Sequence, residues 1–181
     1  MLTNSKIEKN VSLSHNIPLI KDIVSVLFFS ILTGIGAGLK IEIGAVPITM
    51  QTLIVLLSGA FLGSKKGAIS QLTYLTAGIV GIPWFSRGGG LAYILSPTFG
   101  YLVGFIPASY IVGVLTRKSK NVFNIIKSFI AGNFFIYSFG ILWLLRMFSL
   151  SQSLAIGLYP FILGDILKMF LIIIILKNIK K

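Results

Sequence analysis

Residues 122–144 read VFNIIKSFIAGNFFIYSFGILWL, an apolar stretch from Val122 to Leu144 that carries a single charge, Lys127. A helix rising 1.5 Å per residue needs about 20 such residues to cross the roughly 30 Å of hydrocarbon in a bilayer. Further apolar segments of similar length lie on both sides of it. They run from about Asp22 to Gly38, from Gly44 to Leu62 with Pro47 inside, from Gly67 to Trp84, from Pro97 to Leu115 with Pro107 inside, and from Phe161 to Leu176. The chain therefore reads as an all-α integral membrane protein with six transmembrane helices.

Composition agrees with that fold class. Of 181 residues, 55% are hydrophobic and 11% are charged, about half the charged share of a soluble domain. There are no cysteines, which excludes disulfides, thiol catalysis and Cys-ligated metals. The one histidine, His15, lies in a polar N-terminal stretch, so a His-based metal site or a catalytic triad has nothing to build on. Gly63-Ser64-Lys65-Lys66-Gly67 lacks the upstream glycine spacing of a phosphate-binding loop. Four acidic residues in the whole chain are too few for the acid clusters of membrane phosphotransferases. Such a chain is poorly equipped as an enzyme and needs no cofactor. It must bind and pass something, alone or driven by a partner.

The formal net charge is +12. On a soluble chain that would suggest nucleic acid. Here the basic residues sit in short clusters between apolar runs, the pattern of loops held on the cytoplasmic side of a membrane, and nucleic acid is not expected as a partner. With six spans, Lys6, Lys9 and Lys21, then Lys65 and Lys66, then Arg117, Lys118, Lys120 and Lys127, and finally Lys177, Lys180 and Lys181 all fall on one side. The other side has only Lys40, Arg87 and Arg146, with Glu42 offsetting one of them. Both termini are thus expected in the cytoplasm. No repeat, linker or low-complexity tract divides the chain, so 1–181 is expected to be a single membrane domain, with 1–21 a cytoplasmic N-terminal tail.

The orientation gives the polar residues a depth. Asp165 and Lys168, three apart on the last segment, share a helix face. Ionisable groups within lipid are costly, so they usually face a cavity and serve a function. They suit a polar clamp, with Asp165 accepting from ligand N–H groups and Lys168 donating to a ligand oxygen. The alternative is a self-neutralising pair that only orients the helix. Arg87 precedes Gly88, Gly89 and Gly90 in a loop, where backbone approaches a ligand closely and a guanidinium pairs with a carboxylate. Otherwise it is a solvated loop charge. Gln51 follows Pro47 and Thr49, and its amide both donates and accepts, as a urea or amide ligand requires; otherwise neighbouring backbone satisfies it. Tyr101 is either a ligand contact or an interfacial belt residue. Tyr74 and Asn133 lie deeper and are candidates for hydrogen bonds between helices, Tyr74 also for the ligand site.

Gln51, Arg87, Tyr101 and Asp165 come from separate stretches, yet the topology puts all of them in the outer half. Pro47, Pro83 and Pro97 interrupt the same side, and broken helices at membrane depth mainly line cavities. An outward-facing pocket carrying both a cation and an anion is expected. On the first segment Ser30, Gly34 and Gly38 recur every four residues. That spacing lets another helix approach closely, either a partner's helix or one of this chain.

Four blocks in order carry a family resemblance: VPITMQTLIVLLSG from Val46 to Gly59, GIVGIPWF from Gly78 to Phe85, SPTFGYLVGF from Ser96 to Phe105, and Gly164-Asp165-Ile166-Leu167-Lys168. Together they resemble the BioY family, the biotin-specific S components of energy-coupling factor (ECF) transporters. The resemblance implies six helices in the plasma membrane of a prokaryote and high-affinity capture of biotin. It also implies partners, namely membrane lipid, a transmembrane coupling protein and a pair of ATPases. In that family the Asp and Lys of the last helix are associated with the ligand, which maps onto Asp165 and Lys168. An S component for another vitamin, or a secondary transporter that carries protons on Asp165, remains the alternative.

Overall fold

The computed structural model describes residues 2–118 and 121–178, with side chains for 19–117 and 121–178. The tail lysines Lys6 and Lys9, His15, and the basic residues Lys120, Lys180 and Lys181 lie outside the described side chains.

The order of elements is α1 (Leu2–Gly38), β1 (Lys40–Ile41), β2 (Ile48–Thr49), α2 (Gln51–Leu62), α3 (Ser64–Val80), a 3-10 turn (Leu91–Leu95), α4 (Phe99–Lys118), α5 (Val122–Leu144), α6 (Leu150–Gly157) and α7 (Phe161–Asn178). Among the described residues, three helical stretches are long and apolar enough to cross a membrane: Leu19–Gly38, Phe99–Arg117 and Val122–Leu144. The pair α6 and α7, bent by 41°, makes a fourth if it is one span. The outward faces of α1 and α7 expose Leu27, Phe28, Ile31 and Ile35, and Leu163, Leu167, Phe170 and Ile174. Stripes of that kind would drive association in water and are what a lipid solvent accepts.

The structure differs from the expected segments in two places. Gly44 to Leu62 is not one helix. Pro47 has no backbone N–H and disfavours helical backbone at Val46. The chain runs extended there, with Lys40 opposite Thr49 and Ile41 opposite Ile48 in an antiparallel hairpin, and the helix starts only at Gln51. At 1.5 Å per residue α2 covers about 18 Å, so its N-terminus stops inside the bundle. The second difference is α6, which the apolar pattern did not delimit. Ser149 caps it with a full capping box, its hydroxyl taking the Gln152 N–H while the Gln152 side chain reaches back. Pro160 then separates α6 from α7.

Helices α2, α3 and α4 pack closely on one another, and α5 packs along α4. Gly63, at φ 79°, turns α2 into α3 within one residue, a conformation that favours glycine. Gly59 lies against the backbone of α4, where an added Cβ would sit 3.0 Å from the Ser109 carbonyl carbon. This closeness lets hydroxyls and amides pair inside the bundle. Ser58 and Ser109 hydroxyls are 2.8 Å apart, and Gln71 Nε2 donates to Ser58 Oγ at 3.1 Å. Within a membrane each such bond contributes on the order of 0.6–2 kcal/mol.

Two of the three small residues of the α1 stripe pack against other parts of this chain. Ser30 is 1% exposed and donates to the Ser70 carbonyl at 2.7 Å. An added Cβ on Gly34 would lie 3.1 Å from Trp84 Cβ. Ser30 thus packs against α3 and Gly34 against Trp84 of the same chain. Gly38, at the end of α1, has nothing within 4 Å of an added Cβ.

Candidate functional site

The hairpin of residues 40–49 and the loop of residues 81–98 converge over one end of the bundle. Beneath them lies a narrow cavity of about 40 Å³. The hairpin contributes Val46, Pro47 and Thr49, the start of α2 contributes Gln51 and Thr52, and the loop contributes Ser86 and Thr98. Tyr101, Leu102 and Phe105 from α4, Ile136 and Tyr137 from α5, and Phe161 and Lys168 from α7 complete the wall. The non-helical part of the second segment thus lines this space.

Three rings form one side. Tyr101 and Phe161 stack at 6.4 Å between centroids, and Tyr137 meets Tyr101 edge-on at 6.4 Å and Phe161 at 6.1 Å. The Tyr101 hydroxyl donates to the Gly157 carbonyl at 2.8 Å. Tyr101 therefore presents its ring to the cavity and its polar tip to α6, not to an interfacial belt.

Gln51, 4% exposed, is held from two directions. Its Oε1 accepts from Thr49 Oγ1 at 3.0 Å and its Nε2 donates to the Tyr74 hydroxyl at 2.7 Å. One donor and one acceptor site of the amide remain. Tyr74 does not border the cavity. It is fully buried on α3 behind Gln51, donates to the Trp84 carbonyl at 3.1 Å, and receives the Trp84 Nε1–H on its own carbonyl at 3.0 Å.

Lys168 and Asp165 are 5% and 7% exposed and adjacent, but they occupy different surfaces. Lys168 borders the cavity. Its Nζ donates to Thr52 Oγ1 at 2.7 Å and to Asp165 Oδ1 at 3.3 Å. Asp165 borders a groove between α5 and α7 instead, and its other oxygen accepts from the Tyr137 hydroxyl. Asn133 lines that groove too, and its buried Oδ1 has no hydrogen-bond partner among the described residues, so this oxygen makes no bond between helices there.

Arg87 lies above the cavity rather than in it. Its guanidinium donates to the Gly44 carbonyl at 2.8 Å and the Ala45 carbonyl at 3.3 Å, and lies 3.9 Å from Glu42. Lys40 Nζ bridges Glu42 Oε1 at 2.7 Å and the Ser86 carbonyl at 2.6 Å. These bonds tie the hairpin to the loop. The hydrogen bond and charge of Lys40, with Arg87 adding, hold the Glu42 carboxyl below the usual carboxylate range.

Thr52, Ser86, Thr98, Tyr137 and Phe161 border the cavity without having been singled out from sequence. Tyr137 carried a usable signal, since it stands one helical turn from Asn133 as a second polar group in an apolar span. A threonine such as Thr52 in an apolar helix carried none.

The model of the BioY family matches residues 5–181 of the chain. A protein of Pyrococcus horikoshii named probable biotin transporter BioY is 36% identical over 161 residues, covering 88% of this chain and 96% of its own length. The biotin transporter BioY of Thermotoga maritima is 31% identical over 163 residues, covering 89% of this chain and 96% of its own. Among solved structures, the S-component for biotin from an ECF-type ABC transporter matches with a TM-score of 0.81 at 29% identity, over 91% of this chain and 93% of that one. These relatives are transport proteins rather than enzymes. The chain belongs to the BioY family.

Proposed function

We propose that this chain is the biotin-capture subunit of a vitamin uptake transporter in the plasma membrane of a prokaryote. Partner ATPases drive it through a coupling membrane protein. The observation that carries the proposal is the cavity itself. Small-molecule pockets are mostly apolar with a few placed polar groups. Here an aromatic wall of Tyr101, Tyr137 and Phe161 faces the Lys168 ammonium and the Gln51 amide. Biotin needs these groups: its ring and chain need apolar walls, its ureido group needs a donor and an acceptor, and its carboxylate needs a cation. The family supports the same ligand, since relatives in it are named biotin transporters.

Six spans follow if the hairpin with α2 counts as one, α3 as another, and α6 with α7 as a single bent span. Lys65, Lys66, Arg117 and Lys177 then stand at one face, and Lys40, Arg87 and Arg146 at the other. The bias toward basic residues makes the first face cytoplasmic. Both termini lie there, and the cavity opens outward. The 1–181 chain is one membrane domain in this arrangement. Asp165, bonded on both oxygens, is poorly placed as a proton carrier.

Displacement of labelled biotin from the purified chain by a panel of other vitamins tests the ligand. Unlabelled biotin alone is expected to compete at micromolar concentration or below. Stronger competition by another vitamin would reassign the subunit to that ligand.

A further inference from the structure

Both oxygens of the Asp165 carboxylate are hydrogen-bonded within the protein. One oxygen takes an N–H of Lys168 and the other takes the Tyr137 hydroxyl, and the residue borders the α5–α7 groove, not the cavity. Lys168 has three N–H donors. Asp165 and Thr52 take two of them, and among the described residues the third has no acceptor, at a position on the cavity wall. The ammonium is thus held like a pointer. Asp165 fixes it along α7 and Thr52 fixes it from α2. Tyr137 fixes Asp165 from α5.

Each of these restraints comes from a different helix. Without Tyr137 the carboxylate would lose a charge-assisted bond and could turn toward the groove or the cavity. Without Thr52 the long lysine stem could regain rotamers that must be fixed again on binding.

We infer that Tyr137 and Thr52 are positioning residues for the ligand: their hydroxyls aim Lys168, Tyr137 acting through Asp165 and Thr52 directly. The inference rests on the biotin-capture reading, because that reading supplies the ligand oxygen that Lys168 meets.

The two are separable by one set of titrations of biotin into the purified full-length chain, comparing the unmodified protein with Tyr137→Phe, Asp165→Asn, the Tyr137→Phe/Asp165→Asn double variant, Thr52→Val, Thr52→Ser, Lys168→Met and the Thr52→Val/Lys168→Met double variant. Tyr137→Phe and Thr52→Val are expected to weaken binding by roughly tenfold, and Thr52→Ser to restore it. Each double variant should bind no more weakly than its Asp165→Asn or Lys168→Met parent, because the hydroxyl has nothing left to aim. Losses that add in the double variants, or unchanged affinity in both Tyr137→Phe and Thr52→Val, would overturn the inference while leaving biotin capture intact. If the unmodified chain takes up no biotin, both fall. Thermal unfolding of the empty variants identifies any that fail to fold. The Thr52 arm decides the question if Tyr137→Phe does.

Discussion

Gln51 on α2 donates from Nε2 to the Tyr74 hydroxyl on α3 at 2.7 Å, and Tyr74 passes the bond on to the Trp84 carbonyl at 3.1 Å. The cavity amide is therefore oriented by a residue that never reaches the cavity. Tyr74→Phe keeps the ring and removes both bonds. Biotin affinity is expected to fall about five- to tenfold, the worth of one hydrogen bond of about 1 kcal/mol. Equilibrium binding checks this; an unchanged affinity would show that Gln51 holds its orientation without Tyr74.

Lys168→Met keeps the stem and removes the charge. It leaves Asp165 buried with only Tyr137 as donor and takes the cation from the cavity. Loss of one partner of a buried charge pair costs several kcal/mol, so affinity should drop at least about thirtyfold and the midpoint of thermal unfolding should fall as well. A variant that binds biotin normally would remove Lys168 from the site.

Arg87 reads from sequence as a partner for a ligand carboxylate or as a solvated loop charge, and in the structure it donates to the Gly44 and Ala45 carbonyls. The two roles separate with a neutral ligand. If Arg87 acts by tying the hairpin to the loop, Arg87→Ala weakens biotin and its carboxamide by the same factor and speeds the release of both. A loss confined to biotin would assign Arg87 to the carboxylate.

How much of this was legible in the sequence depended on cost. Charge inside an apolar run is expensive, so Asp165 and Lys168 stood out, as did Gln51 beside Pro47. What each group does was less visible. The sequence could not show that Asp165 spends both oxygens on Tyr137 and Lys168, because Tyr137 lies on another helix. The hairpin was hidden because Gly44 to Leu62 is apolar throughout, and hydropathy does not distinguish a half-length helix from a full span. Helix α6 had its signal in Ser149 and Gln152, a local cap that a search for long apolar runs passes over. The stripe of Ser30 and Gly34 marked a helix contact correctly as to type, but spacing alone could not name Ser70 and Trp84 as the neighbours.

The absence of cysteine makes topology directly measurable. Single cysteines at Lys66 and Arg146 are expected to react with a membrane-impermeant thiol reagent from opposite sides, Lys66→Cys only after the cells are opened and Arg146→Cys in intact cells. Labelling of both from the same side would contradict the proposed orientation.

The central claim is that the chain alone captures biotin. Isothermal titration of biotin into the purified, detergent-solubilised chain, with no ATPase or coupling protein present, tests it most directly. A saturable heat signal at one biotin per chain, with a dissociation constant well below about 1 μM, is the predicted result. No heat change, together with no protection against thermal unfolding at millimolar biotin, would contradict it.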